Sequence, residues 1–112
     1  MEERKVTVVE FDEAVKVALK KLDEEKIFEG LSRVMLRVVG TIFVEKMGFT
    51  LFGEDKEKTI TELDFAKAVN SVTVDVFNDE EVEGVLKFTV PVVGWSLSNS
   101  ISEILFRESE DK

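Results

Sequence analysis

The segment Ile27–Met47 constrains this sequence most, because it is the longest candidate helix and the most apolar stretch. Between Val34 and Val44 the hydrophobic run is interrupted by Arg37, Gly40 and Thr41 alone. At 100° per residue, apolar side chains cover nearly the whole circumference of such a helix. A helix of this kind needs cover from other parts of a protein on almost every side.

The polar residues of this predicted helix follow a single i+4 ridge, and two of them are arginines, Arg33 and Arg37. Guanidinium groups on a largely covered helix need acceptors, which a ligand carboxylate or phosphate can supply. Glu29 and Glu45 lie on the same ridge and could accept hydrogen bonds from the arginines instead. Contact with another subunit is the third interpretation. The two arginines are therefore our candidate anchors for an anionic ligand.

Length and composition indicate one folded domain spanning residues 1–112. Its 112 residues suffice for a single core, and 44% hydrophobic with 35% charged residues is typical of a soluble domain. The first ten residues, MEERKVTVVE, do not resemble a signal peptide, which makes a cytoplasmic location the expectation. The charges within Ile27–Met47 argue against a membrane span.

The charge balance disfavours nucleic acid and anionic membrane as partners. A net charge of −9 repels phosphate and supplies no counterion release. The chain also lacks Cys, His, Tyr and Gln. Enrichment in Glu and Lys, with no Gln or Cys and only three Asn, follows a trend of proteins from hot environments, so we expect a thermophilic source.

The residue types give little support to an enzyme. Without His and Cys the commonest proton-transfer groups and nucleophiles are missing, and catalysis would depend on Asp75 or Asp64 with a lysine. The sequence contains no phosphate-binding loop, dinucleotide fingerprint or histidine metal motif. We therefore expect no cofactor and no metal.

The remaining sequence predicts strands as well as helices. Residues 5–11 are rich in β-branched side chains and predict a strand, and a first helix is expected from Asp12. The central helix is expected to end at Gly48, and a strand is expected to start at Phe49. Residues 72–77 and 85–93 alternate and predict an antiparallel hairpin, with Pro91 at a sheet edge.

Two further segments complete the prediction. Thr61 and Asp64 resemble a capping box that opens a helix, while a strand from Lys58 to Phe65 is the alternative. Residues 97–105 predict a short closing helix. The expected fold class is α+β: an N-terminal helical pair with a long buried central helix packed on an antiparallel sheet that contains a C-terminal hairpin.

Such a sheet and two short helices would leave part of the central helix bare. Exposed apolar surface of that size is unusual in monomers. We therefore predict a homodimer, with Val39, Gly40 and Phe43 at its interface.

Three functions remain open. The first is a non-enzymatic, acidic, homo-oligomeric interaction or regulatory module that binds another protein. The alternative is a small-ligand binding domain with an apolar helix–sheet cavity, in which Trp95 and Asn99 join Arg33 or Arg37; Trp95 as a core plug is the plainer interpretation. A carboxylate-dependent enzyme is the third.

Overall fold

A computed structural model describes residues 4–24 and 33–107, apart from the side chains of Asp23, Arg33 and Arg107. These residues form four helices, and a π-helical turn, Glu103–Arg107, continues the last one. The helices are α1 (Val8–Glu24), α2 (Arg33–Phe52), α3 (Glu62–Phe77) and α4 (Val85–Ser102). Within the described ranges the β-pairing is one isolated bridge, Val6 to Ile60. The predicted α+β fold class is therefore wrong, and the described chain is all-helical.

The predicted hairpin lies in helices instead of strands. Residues 72–77 belong to α3 and residues 85–93 to α4. Val72 and Val76, four residues apart, are fully buried, whereas Val74 is 59% exposed. Valine lowers helix propensity by a few tenths of a kcal/mol at most positions. Burial of a helical stripe against neighbouring helices outweighs that cost.

Pro91 lies inside α4 and not at a sheet edge. Proline removes one backbone hydrogen bond from a helix, and here its ring faces the exposed side. The Thr89 hydroxyl donates to the carbonyl oxygen of Leu86 (2.7 Å) in the turn before it. The predicted closing helix, residues 97–105, is not separate, because it forms the end of α4 and the π-helical turn.

The predicted helix starts and ends also shift. Gly48 and Phe49 lie inside α2, which ends where Gly53 adopts a positive φ of 58° and donates to the carbonyl of Phe49 (2.8 Å). The start predicted at Ile27 lies outside the described residues. At the N-terminus, α1 begins at Val8. A reciprocal pair of hydrogen bonds between Thr7 and Glu10 precedes it.

Helix α2 is the centre of the core and contacts all three other helices. Val39, Phe43 and Met47 have no exposed surface. A Cβ on Gly40 would lie 3.2 Å from the Leu22 side chain, so this glycine allows close packing against side chains of α1. None of the helices in residues 4–24 and 33–107 is both long and apolar enough to cross a bilayer.

Candidate interaction surface

Helix α4 carries almost no charge in a chain that is 35% charged. Its 18 residues contain one ionisable side chain, that of Lys87. Val90, Val93 and Leu97 form a fully buried inner face against the core. The outer face is therefore left to uncharged residues.

That outer face is both apolar and exposed. Phe88 is 81% exposed and Trp95 is 65% exposed, and Val92 lies between them. Spacings of three and four residues place these side chains and Asn99 on one side of the helix. Trp95 is therefore not the core plug that the sequence favoured.

Helix α3 adds exposed apolar residues beside this stripe. The helices run in opposite directions, since Phe77 at the end of α3 contacts Lys87 at the start of α4. Val74 and Phe77 lie on the outer side of α3. We define the α3–α4 face by six of the seven large exposed apolar side chains of these helices, all but Leu63: Val74, Phe77, Val85, Phe88, Val92 and Trp95.

A cleft of about 490 Å³, the Trp95 cleft, lies between the two helices. Its described walls include Phe65, Val69 and Thr73 from α3, and Pro91, Trp95, Ser98 and Asn99 from α4. This volume lies within the roughly 300–1,000 Å³ of typical ligand pockets. The cleft is thus large enough to take an anchoring side chain of a partner.

Ser98 gives this cleft an unsatisfied polar group. The residue is 9% exposed, and its Oγ makes no hydrogen bond within the described chain. Buried polar atoms are nearly always hydrogen-bonded in native proteins. The oxygen is closed to solvent, so a group bound in the cleft would reach it only after a local rearrangement of the cleft wall.

Acidic residues lie at both ends of the α3–α4 face. In the loop from 78 to 84, next to the Phe88 end, Glu80 and Glu83 are exposed, whereas Asp79 pairs with Lys46 of α2 (3.2 Å) and Glu81 lines the depression beside Arg37. Glu62 and Glu103 are exposed at the opposite end. The ammonium group of Lys87 donates to the carbonyl of Phe77 and lies 4.7 Å from the centre of its ring. The surface is therefore neutral in the middle and negative at its ends.

Of the sequence-predicted ligand residues, Trp95 and Asn99 come together in the cleft. Arg37 is exposed on α2 and lines a different depression, beside Val34 and Glu81. The side chain of Arg33 lies outside the described residues. The structure therefore does not bring Arg37 to the residues of the Trp95 cleft.

The predicted dimer residues, Val39, Gly40 and Phe43, are buried by helices of the same chain. A Cβ on Gly94 of α4 would lie 3.0 Å from the Phe43 ring, which shows how closely α4 covers this part of α2. An interface between two copies would therefore need other residues.

The two candidate catalytic acids, Asp75 and Asp64, lie at exposed positions. Asp75 is exposed on α3. The Asp64 carboxylate accepts the backbone N–H of Thr61 (3.0 Å), and this bond holds the pKa of Asp64 below its ordinary value of 3.8. A carboxylate with a lowered pKa is a poor proton donor near neutral pH.

Sequence reasoning missed Phe88 and Pro91 as surface residues. The available signal was the lack of charge over residues 88–102 combined with apolar residues at helical spacing. Comparison with protein-family models, with curated proteins and with solved structures finds no match for this chain.

Proposed function

We propose that this chain is a non-enzymatic interaction module whose α3–α4 face binds a basic, amphipathic helical segment of another protein. The exposed, uncharged outer side of α4 carries the proposal. A helix that faced only water would be expected to present charged residues there, as most of this chain does.

The exposed apolar area supports a protein partner. An aromatic side chain contributes about 150–250 Å² when buried, so at their exposures Phe88 and Trp95 present on the order of 300 Å². Val74, Phe77, Val85 and Val92 raise the exposed apolar area of the face toward the upper end of the roughly 300–600 Å² expected for the largest apolar patch of a monomer. A standard interface takes about 800 Å² from each side. The face supplies the apolar part of such a share, and polar residues around it would supply the rest.

The charges support a basic partner over a second copy. The chain has a net charge of −9, and the face is flanked by acids at both ends. In a twofold dimer built on this face, the acidic ends of one copy would meet acidic ends of the other. A helix with lysines or arginines near both ends would instead place positive charge on each of them.

The Trp95 cleft supplies a place for an anchor residue. Hot spots in interfaces are side chains that fill pockets near the centre of the contact. The cleft walls include the apolar side chains of Phe65, Val69 and Trp95, and the exposed Asn99 amide can exchange a hydrogen bond with a polar atom of the anchor. A large side chain with one polar group, such as tryptophan or tyrosine, fits these features.

Calorimetry with designed peptides tests the proposal. The first peptide is an amphipathic helix with an apolar stripe, one central tryptophan and lysines at both ends; the second has glutamates in place of the lysines. We expect saturable binding of the basic peptide and none of the acidic one. The double variant Phe88→Ser/Trp95→Ser should bind the basic peptide at least tenfold more weakly, because removal of each hot spot costs about 2 kcal/mol.

The matched control is Val9→Ser/Val17→Ser on α1, which removes two other exposed apolar residues and leaves the charge unchanged. It should retain wild-type affinity. Equal affinity of both double variants would mean that charge alone attracts the peptide, which would contradict the proposal. So would the absence of saturable binding to the wild-type protein.

A further inference from the structure

A second cavity lies between α1 and the C-terminal half of α2, and none of its described lining residues belongs to α3 or α4. It has a volume of about 510 Å³ and is open to solvent. We infer that this α1–α2 pocket binds a small organic cation that carries an apolar group. The inference is independent of the proposed function.

The floor of the α1–α2 pocket is aromatic and aliphatic. The rings of Phe11 and Phe52 lie 5.6 Å apart at an angle of 59°. Val15 and Val44 complete the floor, and Phe49, 72% exposed, stands beside it. Phe11 is 2% exposed and Phe52 is 5% exposed, so these two rings form a closed apolar floor, and it is the exposed ring of Phe49 that offers a negative face to a methylated ammonium group.

A glycine helps keep this floor open. Gly48 lies inside α2 and lines the pocket. A Cβ at this position would lie 3.7 Å from the Phe11 ring, which is an ordinary contact. Packing therefore does not require glycine here, although glycine weakens a helix relative to alanine. What the glycine leaves open is pocket volume that a larger side chain at this position would occupy.

The rim of the pocket is acidic. Asp12, Glu45, Glu54 and Asp55 surround the opening, and Lys56 is the single base among the described lining residues. Asp55 also accepts the backbone N–H of Glu57 (3.0 Å). Within residues 4–24 and 33–107, no three acidic side chains converge as they would around a metal ion. Carboxylates spread around an apolar floor fit a bulky cation better than a bare ion.

The ligand class follows from floor and rim together. An anion would be repelled by the rim, and a neutral apolar molecule would gain nothing from it. An alkylammonium or arylammonium ion uses both, with its apolar part on the phenylalanine floor and its charge among the carboxylates. Neither the apolar floor nor the acidic rim alone selects this class of ligand; the two together do.

Titration with phenylpropyltrimethylammonium, followed by amide NMR, tests the inference. We expect saturable shifts at Gly48 and Gly53 and an unchanged indole N–H resonance of Trp95, which lies on α4. Two matched compounds separate the contributions: the tert-butyl isostere lacks the charge, and 4-phenylbutyrate reverses it. The isostere should bind at least fivefold more weakly, and the carboxylate should not bind.

Variants locate the site. Glu45→Gln/Glu54→Gln removes two rim charges and should weaken binding of the cation about fivefold, while Gly48→Leu should fill the floor and abolish it. Glu57→Gln, on the same loop but outside the pocket lining, should bind as the wild type does. Equal binding of cation and isostere would overturn the inference, and so would an equal loss of affinity in the Glu57→Gln and Glu45→Gln/Glu54→Gln proteins.

Discussion

Single residues fix where α3 begins. The Thr61 hydroxyl accepts the N–H of Asp64 (3.3 Å), and the Asp64 carboxylate accepts the N–H of Thr61 (3.0 Å). These bonds satisfy two donors that a helix start otherwise leaves unpaired. The sequence spacing predicted this capping box, and the structure confirms it.

Loss of this cap should be measurable. We expect Thr61→Ala to lower the free energy of unfolding by about 1 kcal/mol, which corresponds to a melting temperature lower by roughly 4 °C in a chain of this size. Thermal denaturation followed by circular dichroism measures it. Thr50→Ala, at an exposed position inside α2, serves as the control and should not lower the melting temperature. Equal melting temperatures for the two variants would contradict the assigned cap.

Two carboxylates, those of Asp64 and Asp79, should link stability to pH. The Thr61 N–H lowers the pKa of Asp64, and the Glu81 N–H, together with Lys46 at 3.2 Å, lowers the pKa of Asp79. A lowered folded-state pKa adds stability at pH values above the ordinary value of 3.8, and this is lost as pH falls through the lowered pKa.

The double variant Asp64→Asn/Asp79→Asn removes both titrations. Urea unfolding across the acid range should show the wild type more stable near neutral pH. The difference should shrink as the pH falls below the ordinary pKa of 3.8 and should be gone below the lowered pKa values. A difference that stays constant down to full protonation of the carboxyls would show that these groups do not contribute through their charge.

The sequence allowed correct prediction of a feature that depends on residues within one helical turn. The Thr61 and Asp64 pair was readable because capping depends on neighbours within one turn. The same threonine-to-acid spacing occurs at Thr7 and Glu10, but the β-branched residues around it suggested a strand. The exposure of Trp95 could not be read, since it depends on where α3 and α4 lie.

At the scale of elements, the valine-rich segments misled the sequence prediction. Alternation placed Phe88, Val90 and Val92 on one apolar face of a strand. In α4 it is Val90, Val93 and Leu97 that are buried, at helical spacing, while Phe88 faces solvent. Short apolar runs fit both periods, and the neighbouring elements decide between them.

Close packing of α4 on α2 gives a prediction at this scale. A Cβ at Gly94 would lie 3.0 Å from the ring of Phe43, which is fully buried and has little room to move. We expect Gly94→Ala to lower the free energy of unfolding by about 1–2 kcal/mol despite the better helix propensity of alanine. Chemical denaturation measures the change.

Gly40→Ala is the matched comparison. Its Cβ would meet the ends of the flexible Leu22 and Leu19 side chains at 3.2 and 3.3 Å. Small shifts of these side chains can relieve the contact, and the gain in helix propensity offsets what remains. We expect a change below about 0.5 kcal/mol. A Gly40 variant less stable than the Gly94 variant would contradict this description of the core.

At the scale of the molecule, the sequence correctly predicted a central apolar helix but not what covers it. A small sheet and short helices, the elements that the sequence predicts, would leave α2 in need of cover from outside the chain. Three long helices of the same chain surround α2 instead, and Val39 and Phe43 are fully buried. The large exposed aromatic groups of α4 lie elsewhere, on its outer side. Cover of α2 depends on contacts distant in sequence, which a local pattern does not contain.

The α3–α4 face should matter little for folding. Phe88 and Trp95 are mostly exposed, so their replacement leaves no core cavity. We expect Phe88→Ser/Trp95→Ser to change the free energy of unfolding by less than about 1 kcal/mol. Urea denaturation checks this directly. A loss of several kcal/mol would place these side chains in the core and remove the basis for an interaction surface.

Fluorescence of Trp95 tests the central claim most directly, because it is the single tryptophan of the chain and lies within the α3–α4 face. A basic amphipathic helical peptide without tryptophan serves as the partner. We predict red-shifted emission that is unchanged on dilution of the protein alone and moves to shorter wavelength as the basic peptide saturates it. An acidic peptide should have no effect. Emission that does not change when the basic peptide is added would contradict the proposed interaction. A blue shift that grows with protein concentration alone would also contradict it, because it would mean that a second copy covers the face.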